Sequence, residues 1–408
     1  MSDHTSGNAP TVRDAAVLAF TSSLGPFAVN TYIPGFYIIA EEYGVTLPVV
    51  QQSLTLYLMA FAIGTLFCGA LSDTFGRRRV LLNGMVLFAL ASIGAMTSPN
   101  IYMLFFWRVV QGLGAAVGQV VTQAIVRDRW SGLHATRVNG LIAMFFAVSP
   151  ALSPVIGGEI IVLFHWQAAF AFLALYALSI ALVVLLWLPE SLPPHARQPL
   201  RLRSTFANYG HGLTHKAFMA GALSHGCLFM GGIIYTAGAA DFVINIMQFG
   251  VDEFIWLTAP LICFSVFGSW CCTHLIRRFG QGGTMAIGLA LMILPGLIAT
   301  FTDYVLRPGY PWIILGPAVY QIGMHVCRPV MMVMNLDYFP NNRGMASSIQ
   351  QFFVTTGFAF CCAFLAPLAI GQAWKYSLIM GVCAVVVALL WLYALKARAA
   401  CWPETARG

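Results

Sequence analysis

Two stripes of polar residues run through otherwise apolar stretches of this chain. Arg108, Gln111, Ala115, Gln119 and Thr122 recur at steps of three and four, which places them on one face of a helix. Gln321, His325, Arg328, Met332 and Asn335 repeat the pattern in the second half. An arginine at the centre of an apolar span costs at least roughly 2.5 kcal/mol unless something solvates it. Arg108 therefore predicts either a cavity-facing charge or a hydrogen-bonding brace to a neighbouring helix. Arg328 with His325 predicts an anion-friendly or proton-responsive face, against the plainer role of a packed core histidine. A third constellation is Gly69-Ala-Leu-Ser-Asp73-Thr-Phe-Gly76-Arg77-Arg78-Arg79. Its chemistry is electrostatic. Asp73 can sit against a helix N-terminus, and Arg77 to Arg79 can pair with Asp73 or with Asp128, forming a latch. Gly69 would let helices approach and Gly76 would permit a tight turn. Topological anchoring alone would account for the arginines but not for the Gly-Asp-Gly spacing.

The elements that hold these residues follow from composition. Of 408 residues, 59% are apolar and 9% charged. A soluble protein carries about 25% charged residues, so this chain cannot cover a water-facing surface in the ordinary way. With about 20 residues per bilayer span, the apolar content allows on the order of twelve. A soluble enzyme, a nucleic-acid-binding domain and a disordered chain are excluded, and an outer-membrane barrel gives a much weaker signal. The expected spans are 15–39, 50–71, 80–97, 101–125, 140–163, 167–188, 217–240, 254–275, 284–301, 311–336, 346–369 and 374–395. They give an all-α membrane protein with a tail at 1–14, a six-helix bundle at 15–188, a linker at 189–216, a second bundle at 217–395 and a tail at 396–408.

Of the 21 lysines and arginines, 17 fall in the two tails, the linker and the loops on their side. Arg307 and Lys375 fall on the other side, and Arg108 and Arg328 lie within spans. The positive-inside rule makes both termini and the linker cytoplasmic. The halves are related: Gly64 to Gly76 and Gly268 to Gly280, offset by 204 residues, are identical at Gly64/Gly268, Cys68/Cys272, Leu71/Leu275, Phe75/Phe279 and Gly76/Gly280. Parallel repeats of this kind imply alternating access around a site near the midplane. The cysteines lie mostly in apolar runs with no C-x-x-C, so no metal or redox site is expected. No signal peptide, P-loop or nucleophile–base spacing stands out, so no cofactor and no enzymatic activity are expected.

The segment from Gly69 to Arg79 closely resembles the major facilitator superfamily signature G-x-L-x-D-R-x-G-R-[KR]. Arg108-Val-Val-Gln111-Gly112-Leu-Gly114 resembles that superfamily's fourth-helix motif. Ala147-Val-Ser-Pro150-Ala-Leu-Ser-Pro154-Val-Ile-Gly157-Gly158 resembles the fifth-helix motif of drug:proton antiporters, most closely the Bcr/CflA-type branch. Ala124-Ile-Val-Arg-Asp128 and Arg343-Gly-Met-Ala-Ser-Ser348 are similar to that branch as well. The resemblance implies a major facilitator fold in a bacterial inner membrane, exporting amphipathic small molecules in exchange for protons. It also implies a coupling role for Arg108.

Asn30-Thr-Tyr-Ile-Pro34-Gly35 resembles the branch pattern D-x-x-x-P, but asparagine replaces the membrane-embedded aspartate. A proton then needs another carrier, and the candidates are Glu159, His225, Asp241 and His325, with Asp241 favoured. Tyr32, Tyr57 and Tyr235 are assigned with Asn30 to a pocket. The rival reading is a facilitator, or a transporter of one specific metabolite, without proton coupling. Substrate and oligomeric state are not legible here.

Overall fold

The computed structural model describes residues 12–197, 209–210, 212–339 and 343–401. Most of the expected N-terminal tail, part of the linker and the end of the C-terminal tail lie outside the described residues. Among those described, every regular element is helical. The chain divides into two compact units, Met1–Arg201 and Leu202–Gly408.

In the first unit, α1 (Val12–Asn30) runs through a 3-10 turn at Ile33–Gly35 into a short helical extension, Phe36–Glu42. The break falls at Pro34, which has no N–H to donate to the preceding turn. It is followed by α2 (Leu47–Phe75), α3 (Arg77–Met96), α4 (Ile101–Arg129), α5 (Gly132–Phe164) and α6 (Gln167–Trp187). In the second unit, α7 (Lys216–Ala237) continues through a short turn into a π-helical stretch, Phe242–Ile246. A continuous helix, Ile255–Val305, breaks at Gly280 (φ 65°, ψ −176°) into α8 (255–279) and α9 (281–305). Then come α10 (Trp312–Leu336), α11 (Arg343–Phe360, extended to Ala369 through a π-turn) and α12 (Ala373–Cys401).

Nine helices among the described residues are long and apolar enough to cross a bilayer, and α5 joins them as a span bent by 43°. Pro150 and Pro154 lie at that bend and remove the hydrogen bonds that would keep it straight. Dividing the long helix at Gly280 and adding α10, whose hydropathy is lowered by its own polar stripe, completes twelve spans, six in each unit.

Several helices run past the expected spans. Hydropathy marks the part in hydrocarbon, whereas capping decides where a helix ends. α2 extends to Phe75 because Gly76, at φ 96°, is the first residue able to turn the chain. At the start of α4 the Asn100 side chain accepts from Met103 N at 3.0 Å. α9 runs to Val305 and so takes Asp303 into a helix, beyond the expected limit at 301.

The sequence repeat reappears as packing. Gly76 and Gly280 both adopt positive φ, so the two related loops turn in the same way. A Cβ on Gly64 would lie 2.7 Å from the Ala116 side chain of α4, and one on Gly268 would lie 2.7 Å from the Ile322 carbonyl of α10. The second helix of each unit thus lies directly against the fourth. Small residues at such contacts let membrane helices gain dispersion energy that lipid cannot match. Leu182, Leu185 and Leu186 of α6 and Leu389 and Leu392 of α12 remain exposed, as a bilayer solvent allows.

Candidate functional site

The signature segment forms a charge network at one end of the first unit. Arg77 at the start of α3 is buried, and its Nη1 lies 2.5 Å from Asp73 Oδ1. Its Nε donates to Asp128 Oδ2 of α4 at 2.9 Å, and Nη1 also donates to Ser72 Oγ at 2.6 Å. One planar guanidinium therefore joins the end of α2 to the end of α4. Asp73 is not at a helix N-terminus, contrary to the sequence expectation. The anion there is Glu190, whose Oε1 accepts from Arg77 N at 2.9 Å, Arg78 N at 3.4 Å, Ser191 N at 3.0 Å and Leu192 N at 3.1 Å. Glu190 escaped notice because it reads as an ordinary linker residue. Arg78 turns to the other end of the dipole, donating to Val184 O at 3.5 Å and Leu185 O at 2.5 Å in the last turn of α6. Gly69 does not serve a tight approach: a Cβ there would meet Val120 only at an ordinary 3.8 Å.

Deeper in the same unit, Arg108 is fully buried. Its guanidinium lies 4.2 Å from the Tyr57 ring centroid, 4.4 Å from that of Tyr32 and 5.9 Å from that of Phe170. Nη1 donates to Ala28 O at 3.2 Å and to Gln111 Oε1, whose Nε2 donates to Ser92 Oγ at 2.7 Å. Nε and Nη2 meet no protein acceptor. No ion pair among the described residues includes Arg108. Each desolvated aromatic face offsets the buried charge by on the order of 2 kcal/mol. Tyr32 OH lies 3.0 Å from Ser53 Oγ, and Tyr57 OH donates to Gly25 O at 3.3 Å, so both rings are fixed. The structure thus gathers Tyr32, Tyr57, Arg108 and Gln111 on α1, α2 and α4. Gln119 is only partly buried, and the Thr122 hydroxyl is buried without a partner.

Asn30 is buried beside this cage in sequence, and its Nδ2 donates to Pro26 O at 2.9 Å while its Oδ1 meets no donor. The fifth-helix motif packs on the next residue. A Cβ on Gly157 would lie 1.8 Å from Thr31 O, so α5 and α1 touch backbone to backbone. Pro154 and Gly158 are also buried, whereas Glu159 is exposed.

In the second unit, Gln321 Nε2 donates to Gly232 O at 2.8 Å and His325 Nδ1 lies 3.0 Å from Gln321 O. Arg328 is half-buried, with its guanidinium 4.8 Å from the Phe229 ring. His225 Nδ1 lies 3.1 Å from Gln350 Oε1, and its ring centroid lies 5.5 Å from that of Phe229. Tyr235 and Asp241 belong to a separate network. Asp241 is fully buried and accepts from Asn245 Nδ2 at 2.9 Å, Gly371 N at 2.9 Å and Tyr376 OH at 3.0 Å. Three donors make it a brace between the segment that follows α7 and the start of α12. Tyr235 OH lies 2.8 Å from Ser377 Oγ, which donates to Asp303 Oδ2 at 2.6 Å. Asp303 was missed because it follows the expected end of its span.

A shallow apolar groove of about 360 Å3 lies between α1 and α6, with Arg13 stacked 3.7 Å over Trp187, and its lining includes none of the expected site residues.

The chain is similar to known proteins along most of its length. A Haemophilus influenzae protein named "Bicyclomycin resistance protein homolog" is 29% identical over 93% of this chain and 95% of its own. "Multidrug resistance protein D" of Escherichia coli is 26% identical over 92% and 94%. Among solved structures, the peptide transporter POT in complex with alafosfalin superposes with a TM-score of 0.76 at 12% identity, covering 95% of this chain and 96% of that one. The family model described as Major Facilitator Superfamily matches residues 16–324. A multi-pass chain of two six-helix units, with the signature charge network at the α2–α3 turn, therefore belongs to the Major Facilitator Superfamily and is a transporter, not an enzyme.

Proposed function

We propose that this transporter is an inner-membrane exporter of amphipathic small molecules that works by alternating access and proton antiport. The observation that carries this reading is the backbone contact of Gly157 with Thr31. It brings the antiporter-like fifth-helix motif against the α1 segment beside Asn30. The relatives named for bicyclomycin and multidrug resistance support a drug-like substrate. The distribution of lysine and arginine supports cytoplasmic termini. The network of Asp73, Arg77, Arg78, Asp128 and Glu190 acts as the cytoplasmic latch, with Gly76 as its turn and Gly69 beside it.

Asn30 cannot exchange a proton near neutral pH, so coupling falls to Glu159, His225, Asp241 or His325, to which Asp303 is added. The test is flux in proteoliposomes with an imposed pH gradient, with and without a protonophore. Drug-driven proton movement supports antiport, and Gln or Asn replacements of the five groups identify the carrier. Flux that ignores the gradient overturns it in favour of a facilitator, the second reading, which the amide at Asn30 favours.

A further inference from the structure

Arg328 of the second unit takes part in no ion pair among the described residues, and the Phe229 ring covers one face of its guanidinium. The other side of the same cluster holds two buried polar atoms without partners. Gln350 is 3% exposed and His225 5%, yet Gln350 Nε2 and His225 Nε2 meet nothing in the protein. Each has spent its other polar atom on the contact between His225 Nδ1 and Gln350 Oε1. That contact fixes both side chains: His225 Nδ1 donates to Gln350 Oε1, which leaves His225 Nε2 an acceptor and the Gln350 amide N–H groups open. A buried donor without an acceptor is left costly by the loss of its hydration. The cluster spends that energy beside the Phe229 ring, which the partly desolvated Arg328 guanidinium also faces, and the open Gln350 amide and the guanidinium have one remedy: an acceptor carrying negative charge.

We propose that Arg328 and Gln350, the latter positioned by His225 and both beside Phe229, form a binding site for the anionic group of an amphipathic organic acid, with Phe229 covering part of its apolar body. The substrate class is then organic anions. This rests on the transport reading above for the ligand's being a substrate. The carboxylate accepts from the Arg328 guanidinium in the two-pronged geometry that a lysine cannot offer. Gln350 supplies the neutral donor. Arg108 does not compete for the same group, because it is fully enclosed.

The experiment uses the full chain in nanodiscs of neutral lipid and three probes of one shape: naphthylacetate, its uncharged amide, and naphthylmethyl-trimethylammonium. Binding is read from tryptophan fluorescence. Naphthylacetate is expected to bind at least about tenfold more tightly than either of the others. Arg328→Gln should remove that preference by weakening naphthylacetate far more than the amide, with the chain still folded. Gln350→Glu, which places a carboxylate in the site, should turn the preference toward the ammonium probe. The inference is overturned if naphthylacetate does not bind, if the ammonium probe binds as tightly in the native chain, or if Arg328→Gln binds the acid normally. Anion-selective binding without flux in proteoliposomes would count against transport and leave the site standing. Flux with a preference for the cation would do the reverse.

Discussion

Arg108 and Arg328 occupy the fourth helix of their respective units, and the two surroundings differ in kind. Arg108 sits behind two tyrosine rings, a backbone carbonyl and a glutamine, with no exposed surface. Arg328 has one phenylalanine and remains half-buried. An enclosed guanidinium solvated by protein holds α1, α2 and α4 in one arrangement, so its energy is structural and conformational. A guanidinium solvated on one side only keeps capacity for something else. Identical side chains in apolar spans therefore play different parts, set by how many neighbours complete the solvation shell.

The sharpest test of this contrast is Arg108→Ala, which should reduce flux to background and lower the melting temperature. Arg108→Lys should recover little, because an ammonium lacks the planar guanidinium face that packs against the Tyr32 and Tyr57 rings. Full activity with lysine would reduce the cage to bare charge. Close behind is Gly157→Ala. Its new methyl would collide with Thr31 O, and relieving such overpacking costs about 1–3 kcal/mol, so lost thermal stability and lost flux should appear together. Normal flux in that variant would free α1 from α5.

A smaller effect separates the latch partners. Asp128→Asn should impair transport more than Asp73→Asn, with insertion intact in both. Asp73 is the more exposed, and an exposed pair contributes about 0.2–1 kcal/mol. Equal flux in both variants, measured in vesicles, would contradict the ranking. The smallest effect on stability is expected at the other arginine. Arg328→Gln should leave the melting temperature within about 0.5 kcal/mol equivalent of the native value, since it removes a charge that no protein carboxylate stabilises. A large drop would make Arg328 a brace like Arg108.

Much of this was legible from residue types. Few charges and repeated apolar runs leave a chain no solvent but lipid, and lipid permits only elements that satisfy their own backbone. That reasoning reaches twelve spans, the two arginine stripes and the positive-φ turn at Gly76. Hydropathy failed at helix ends, which depend on caps and turn glycines, so Asp303 fell outside its span and entered the helix only in three dimensions. It also failed for Glu190, whose partners lie more than a hundred residues away at Arg77 and Arg78. Asp241 read as a candidate proton carrier, and its donors Gly371 and Tyr376 lie 130 and 135 residues away, beyond any local pattern.

The sequence by itself determined the solvent, the number of spans, the repeat and the presence of an arginine in the fourth helix of each half. These follow from local composition and spacing, which act within one helix. Only the tertiary structure decided which arginine is sealed and which is open, and which carboxylate caps α3. Those outcomes depend on neighbours supplied by other helices, and one-dimensional periodicity carries the face a residue lies on but not what meets it there.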